Sequence, residues 1–152
     1  MLITVGTSKF DRLFRAVDSS VLLRKYRVIC QIGVGSYLPS VGQVIRHSDR
    51  FDNIFASADL IICHAGIGTV FEGLRLKKRL VVVPNNDRVD KHQNELAKYL
   101  IANELAEVAV DLESLDNCIR RAMTQEPKVF KPTAFFKKAE VLSLIRCRAD
   151  SP

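Results

Sequence analysis

The stretch CHAGIGTVFEGL, Cys63 to Leu74, puts a histidine, two glycines, a hydroxyl and a carboxylate where an apolar strand gives way to a helix. Gly66 and Gly68 permit close backbone approach, and Thr69 stands where it can cap the helix that follows. The helix dipole favours negative charge at its start. A diphosphate fits such a turn. Glu72 lies one helical turn past Thr69, and its two acceptor oxygens suit a vicinal diol such as ribose O2′ and O3′. The same spacing also makes a capping box, with Thr69 as the cap and Glu72 at the third helical position, so two roles stay open for Glu72.

Two further loops carry polar groups at the ends of apolar runs. In VGTSKFD, Gly6 lets the chain turn sharply while Thr7 and Ser8 supply hydroxyls ahead of a helix. That is an anion site or, equally, a plain turn capped by Ser8. In PNNDRVDKHQNEL, the residues Asp90, His92 and Gln93 gather at a helix start behind Asn85 and Asn86. Such a cluster suits a polyhydroxylated ligand, although a solvated cap built on Asp90 and a structural His92 also explain it.

Other phosphate chemistries fit less well. A dinucleotide fingerprint needs a third glycine where Phe71 stands, and it follows a first strand, not a late one. A nucleotide-hydrolysing loop needs Lys and Ser or Thr where Leu74 and Arg75 follow Gly73. No D-x-D-like carboxylate cluster is present, so neither a metal nor a cofactor is expected.

These loops need a scaffold that brings strand ends together. Apolar runs at Leu2–Val5, Arg27–Ile32, Gln43–Arg46, Leu60–Cys63, Leu80–Val83 and Glu107–Val110 alternate with segments of helical period. Leu13, Phe14, Val17 and Val21 share one helical face. Leu96, Ala97, Leu100 and Ile101 share another, and a further helix is expected over Leu112–Met123. The alternation predicts an α/β fold: a single Rossmann-like, doubly wound parallel sheet whose ligands bind at the carboxyl ends of the strands. Residues 1–126 form this domain. Residues 127–152 continue it as a proline-punctuated link and a terminal helix over Ala134–Ile145.

The chain has 152 residues, of which 47% are hydrophobic, enough for one core. The longest uncharged stretch is shorter than the roughly 20 apolar residues that span a bilayer, so no transmembrane helix is expected. The first residues lack a basic, cleavable leader, which predicts a cytoplasmic location. Cys30, Cys63, Cys118 and Cys147 form no C-x-x-C pair and read as reduced core residues. A net charge of +6 allows contact with phosphate ligands or anionic lipid, or is a solvated basic surface. Nucleic acid is not expected, because aromatics do not interleave with the basic residues.

Taken jointly, the motifs resemble the donor-binding C-terminal domain of two-domain GT-B inverting glycosyltransferases. HAGIGTVFE, His64 to Glu72, matches an H-x-G-x-x-[S/T]-x-x-E signature, and Pro84 with HQNE matches a later proline and glutamine. The resemblance implies that His64, Gly66 and Thr69 meet the donor diphosphate, Glu72 the ribose and Gln93 the sugar. Over nearly the whole chain, ITVGTSKFDRLFRAVD, QIGVGSY and DKHQNELAKYL are similar to the soluble subunit of split glycosyltransferases. That family includes the cytosolic half of the dolichol-linked N-acetylglucosaminyltransferase and bacterial counterparts in capsule and exopolysaccharide assembly. It implies a UDP-sugar donor, a lipid-diphosphate-linked acceptor and a membrane-associated partner subunit supplying the acceptor half. A non-catalytic, regulatory nucleotide-binding subunit is the alternative. The segment KVFKPTAFFKKAEVLSLIR either docks on that partner, with Phe130 among its apolar residues, or packs back on its own sheet.

Overall fold

Short apolar runs punctuated by glycine and polar residues become six strands in the computed structural model, which describes residues 1–85, 92–128 and 130. They are β1 (Leu2–Thr4), β2 (Ile29–Gln31), β3 (Gln43–Ile45), β4 (Leu60–His64), β5 (Arg79–Val83) and β6 (Glu107–Val108). All pair in parallel in the order β3-β2-β1-β4-β5-β6. Chain direction across the sheet reverses between β1 and β4, where Leu2 lies beside Ile61 and Thr4 beside Cys63. The crevice outside the carboxyl ends at such a reversal is where open α/β sheets bind ligands.

Both faces of the sheet are covered, which explains why β4 and β5 read as continuous apolar runs and not as alternating ones. Ile3, Cys30, Ile62 and Val81 point to the layer made by α1 (Asp11–Ser19) and α5 (Leu115–Thr124), against Phe14, Val17 and Ile119. Leu2, Ile61, Cys63 and Val82 point the other way. They meet α2 (Phe51–Ser57), α3 (Ile67–Arg75) and α4 (His92–Ala102) through Phe55, Val70, Leu74, Leu96 and Leu100. A fully buried side chain such as Phe14 or Leu100 contributes about 1.5–3 kcal/mol by leaving water.

Several sequence expectations shift. Val21 is exposed because α1 stops at Ser19, and the Ser20 hydroxyl accepts Leu23 N–H at 3.0 Å to start a separate turn. Ile101 is half exposed, since the edge strand β6 is too short to cover the last turn of α4. Val110 lies beyond β6 and is exposed, and α5 begins at Leu115, three residues later than expected. Cys30, Cys63 and Cys118 are buried free thiols, with burial pushing Cys30 and Cys63 up to about 12.

The link from β2 to β3 is not a helix. Residues 32–42 form an irregular crossover with Gly33 and Gly42 in the left-handed region (φ 57° and 80°). Two carboxylates on one stripe of α1 hold it. Asp11 accepts from Ser36 N, Ser36 Oγ and Tyr37 N, and Asp18 from Tyr37 Oη, Ser40 N and Val41 N.

Among the described residues no helix is long and apolar enough to cross a membrane. Asp90 and the expected helix over Ala134–Ile145 lie outside the described residues. Phe130 packs on its own domain, its ring 5.2 Å from that of Phe71 on α3.

Candidate functional site

The loops after β1, β2, β4 and β5 converge at the carboxyl edge. The loop after β1 turns at Gly6, whose φ of 57° requires glycine, and Ser8 N–H closes the turn on Val5 O at 3.0 Å. Gly6 N–H donates to Thr4 Oγ1 at 3.1 Å, and that hydroxyl donates to Gln31 Oε1 at 2.5 Å. Two backbone donors of this loop are therefore already used. Thr7 is exposed and Ser8 half-buried at the mouth of this loop.

Ser8 does not cap the next helix. Phe10 holds the cap position of α1, without a side-chain cap, and Asp11 places a carboxylate in the first turn. An anion is thus not invited to α1. The same holds for α2, α4 and α5, whose first turns carry Asp52, Glu95 and Asp116. Among the described α-helices, α3 alone has no acidic residue in its first turn. Its dipole is left uncompensated by protein charge at the reversal point of the sheet.

Helix α3 begins earlier than the motif implied. Gly66 is the cap residue, the first helical residue is Ile67, and Thr69 sits within the first turn. The capping box of Thr69 with Glu72 therefore does not form, because Glu72 falls in the second turn. Gly68, Thr69 and Glu72 share one stripe of the helix, away from the buried Val70, Phe71 and Leu74. The Glu72 carboxylate is 41% exposed and bound by Arg75, whose Nε lies 2.9 Å from Oε2 and Nη2 2.6 Å from Oε1.

The two motif glycines answer to different demands. A Cβ on Gly66 would stand 2.4 Å from Nε2 of His64, so the imidazole itself occupies that space. A Cβ on Gly68 would meet nothing within 4 Å. His64, buried at the end of β4, also reaches the first loop, its Cε1 lying 3.8 Å from the Cβ position of Gly6. One ring thus bridges the loops after β1 and β4.

The loop after β5 joins them through Asn85. Its side-chain Nδ2 donates to Lys9 O at 3.1 Å, and its backbone N–H donates to Oε1 of buried Gln93 at 2.9 Å. His92 is exposed at the start of α4, 3.6 Å from Glu95. The loop after β2 closes the other side: a Cβ on Gly33 would come within 2.4 Å of Ser8 O, and Arg46 Nη1 donates to Gly33 O and Gly35 O. Sequence reasoning missed Asp11, Asp18, Arg46 and Arg75. The seven-residue spacing of the two aspartates on α1 was the one available signal.

A cavity of about 610 Å³ lies elsewhere, beside β6. Its charged lining is already paired, Arg121 with Glu107 and Lys128 with Glu104. It lies near the end of α4 and the end of α5, away from the carboxyl ends of the strands.

Residues 1–145 match the family model described as glycosyltransferase family 28 C-terminal domain. The chain is 38% identical over 113 residues to the UDP-N-acetylglucosamine transferase subunit ALG13 of Homo sapiens, covering 66% of this chain and 10% of that protein. It is 36% identical over 133 residues to the protein of that name from Yarrowia lipolytica, covering 76% and 66%. An NMR structure of ALG13 superposes with a TM-score of 0.60 at 21% identity, over 86% of this chain and 88% of that one. Acinetobacter baumannii MurG gives 0.57 at 21% identity, over 96% and 49%. These two likenesses show a shared fold. The chain spans a tenth of the length of the human and mouse relatives it matches.

Proposed function

The chain belongs to the glycosyltransferase family 28 C-terminal domain family, and from that membership we propose that it is the donor-binding subunit of a UDP-sugar-dependent, inverting glycosyltransferase. The observation that carries the reading is the α3 N-terminus. It faces the reversal point of the sheet, has no acidic residue in its first turn, and has open space at Gly68 beside Glu72.

In this reading the donor diphosphate lies at Gly66–Thr69, where backbone N–H groups and the helix dipole meet the charge that grows on the leaving group. The hydroxyls of Thr7 and Ser8 add donors from the facing loop, and His64 holds the two loops together beneath it. Glu72 takes the ribose hydroxyls. His92 and Gln93, at the start of α4, are assigned to the sugar, and so is Asp90, which lies outside the described residues. Charge neutralisation then rests on fixed dipoles and donors, with no metal assigned to the site.

The acceptor half comes from a membrane-associated partner, which brings a lipid-diphosphate-linked acceptor and the base that deprotonates its hydroxyl. Relatives named as transferase subunits support the partner. Those names also make UDP-N-acetylglucosamine the first donor to test, ahead of hexosyl and glucuronosyl donors. Glycan or exopolysaccharide assembly at the cytoplasmic face of a membrane is the setting.

The test is transfer of radiolabelled sugar from UDP-sugars to lipid acceptor. The purified chain is expected to bind UDP and transfer nothing, and co-expression with its membrane partner to restore transfer. Robust transfer by the isolated chain would overturn the split arrangement. Partner stimulation that persists in a variant unable to bind UDP would favour a regulatory subunit.

A further inference from the structure

We propose that Arg75 is a positioning residue that fixes the Glu72 carboxylate for recognition of a cis-diol, and so sets the preference for ribonucleotide over deoxyribonucleotide. The inference rests on the reading that Glu72 meets ribose. Arg75 grips the carboxylate with two parallel bonds, Nε to Oε2 at 2.9 Å and Nη2 to Oε1 at 2.6 Å. This fork-to-fork geometry locks the plane of the carboxylate, as a lysine ammonium cannot. Each oxygen uses one lone pair on Arg75 and keeps another, so two acceptors remain at a fixed separation.

The placement suits that role. Gly68 and Glu72 are four residues apart on α3, so the held carboxylate lies on the same stripe as the open space at Gly68. A free glutamate on an exposed helix face would sample several rotamers and lose that freedom on binding. Arg75 removes most of the loss beforehand. As a stability device the pair is weak, because it is an exposed i,i+3 ion pair with the Arg75 side chain 64% accessible. Its removal therefore leaves the fold intact for testing.

The experiment is calorimetry of UDP and 2′-deoxy-UDP with the full chain and with Glu72→Ala, Arg75→Lys and Arg75→Gln. The unmodified chain is expected to prefer UDP by roughly ten- to a hundredfold, the worth of one hydrogen bond to a charged group. Glu72→Ala should abolish that preference. Arg75→Lys keeps the charge and loses the fork, so the preference should fall severalfold while affinity for 2′-deoxy-UDP stays within about twofold. Arg75→Gln should lower both affinities, because an uncompensated carboxylate then stands near the diphosphate.

An unchanged preference in Arg75→Lys, with the preference lost in Glu72→Ala, overturns the role of Arg75 alone. Tighter UDP binding in Arg75→Lys also overturns it, by showing that Arg75 competes with the ribose. An unchanged preference in Glu72→Ala, or no preference in the unmodified chain, overturns the ribose reading and this inference with it.

Discussion

The imidazole of His64 fills the space a side chain on Gly66 would need, with Nε2 2.4 Å from that Cβ position, and Gly66 N–H donates back to His64 O at 2.7 Å. The strand end and the helix start are thereby locked to each other. The glycine at 66 is a demand of the protein on itself, whereas the glycine at 68 answers to nothing in the protein.

That contrast predicts opposite outcomes for two alanine substitutions. Gly66→Ala must push the buried ring of His64 aside and should destabilise the fold by about 1–3 kcal/mol. Gly68→Ala should stabilise it by about 0.5–1 kcal/mol, because alanine is the better helix former, while weakening UDP binding by intruding on the ligand's space. Thermal melts and UDP titrations on the two variants check both signs. Unchanged UDP affinity in Gly68→Ala would show that no ligand approaches there.

Gln93 has a structural duty that its sequence context did not reveal. Its carboxamide oxygen accepts the buried Asn85 N–H, so Gln93→Ala should cost about 1–3 kcal/mol of stability by leaving that donor unmet. If its amide N–H groups also face the sugar, affinity for a UDP-sugar should fall further than affinity for UDP. Equal losses for the two ligands would confine Gln93 to its bond with Asn85.

The crossover between β2 and β3 should make the protein acid-sensitive. Partial burial raises the pKa of Asp11 and Asp18, but hydrogen bonds from Ser36 and Tyr37 to Asp11, and from Ser40, Tyr37 and Val41 to Asp18, outweigh it and hold both below the ordinary carboxylate value. A depressed carboxylate contributes stability above its unfolded pKa of about 3.9 and loses it as pH falls through the lower folded value. Melting temperature should therefore fall as pH drops below about 4, and Asp18→Asn should flatten that fall. At neutral pH Asp18→Asn should cost about 1.5 kcal/mol or more, the worth of a hydrogen bond to a charged group. An acid profile identical in the variant would remove Asp18 from this role.

Much of this is legible in the amino-acid sequence. The runs LIIC and LVVV are apolar throughout because their strands are buried on both faces, and their alternation with segments of helical period points to a parallel sheet with helices on each side. The motif from His64 to Glu72 marks a helix start and a carboxylate on that helix, although Glu72 falls in its second turn. What stayed hidden depends on distant partners. The bond of Asn85 with Lys9, the grip of Asp18 on Ser40 and the overlap of Gly33 with Ser8 leave no local periodicity. The start of α3 was misjudged because Thr69 is a good capping residue by type, whereas the turn of Gly66 back onto His64 lets the helix begin earlier. The grip of Arg75 on Glu72 was hidden for another reason, since a surface ion pair at i,i+3 is common and carries no functional mark by itself.

In the proposed function a nucleoside diphosphate binds where the loops after β1 and β4 meet. Amide chemical-shift mapping during a UDP titration tests it most directly, since it reports both affinity and place. Saturable shifts are expected at Thr7, Ser8 and Gly66 through Glu72, with the residues beside β6 unmoved. No binding at millimolar UDP, or shifts centred on Glu104, Glu107 and Arg121, would contradict it.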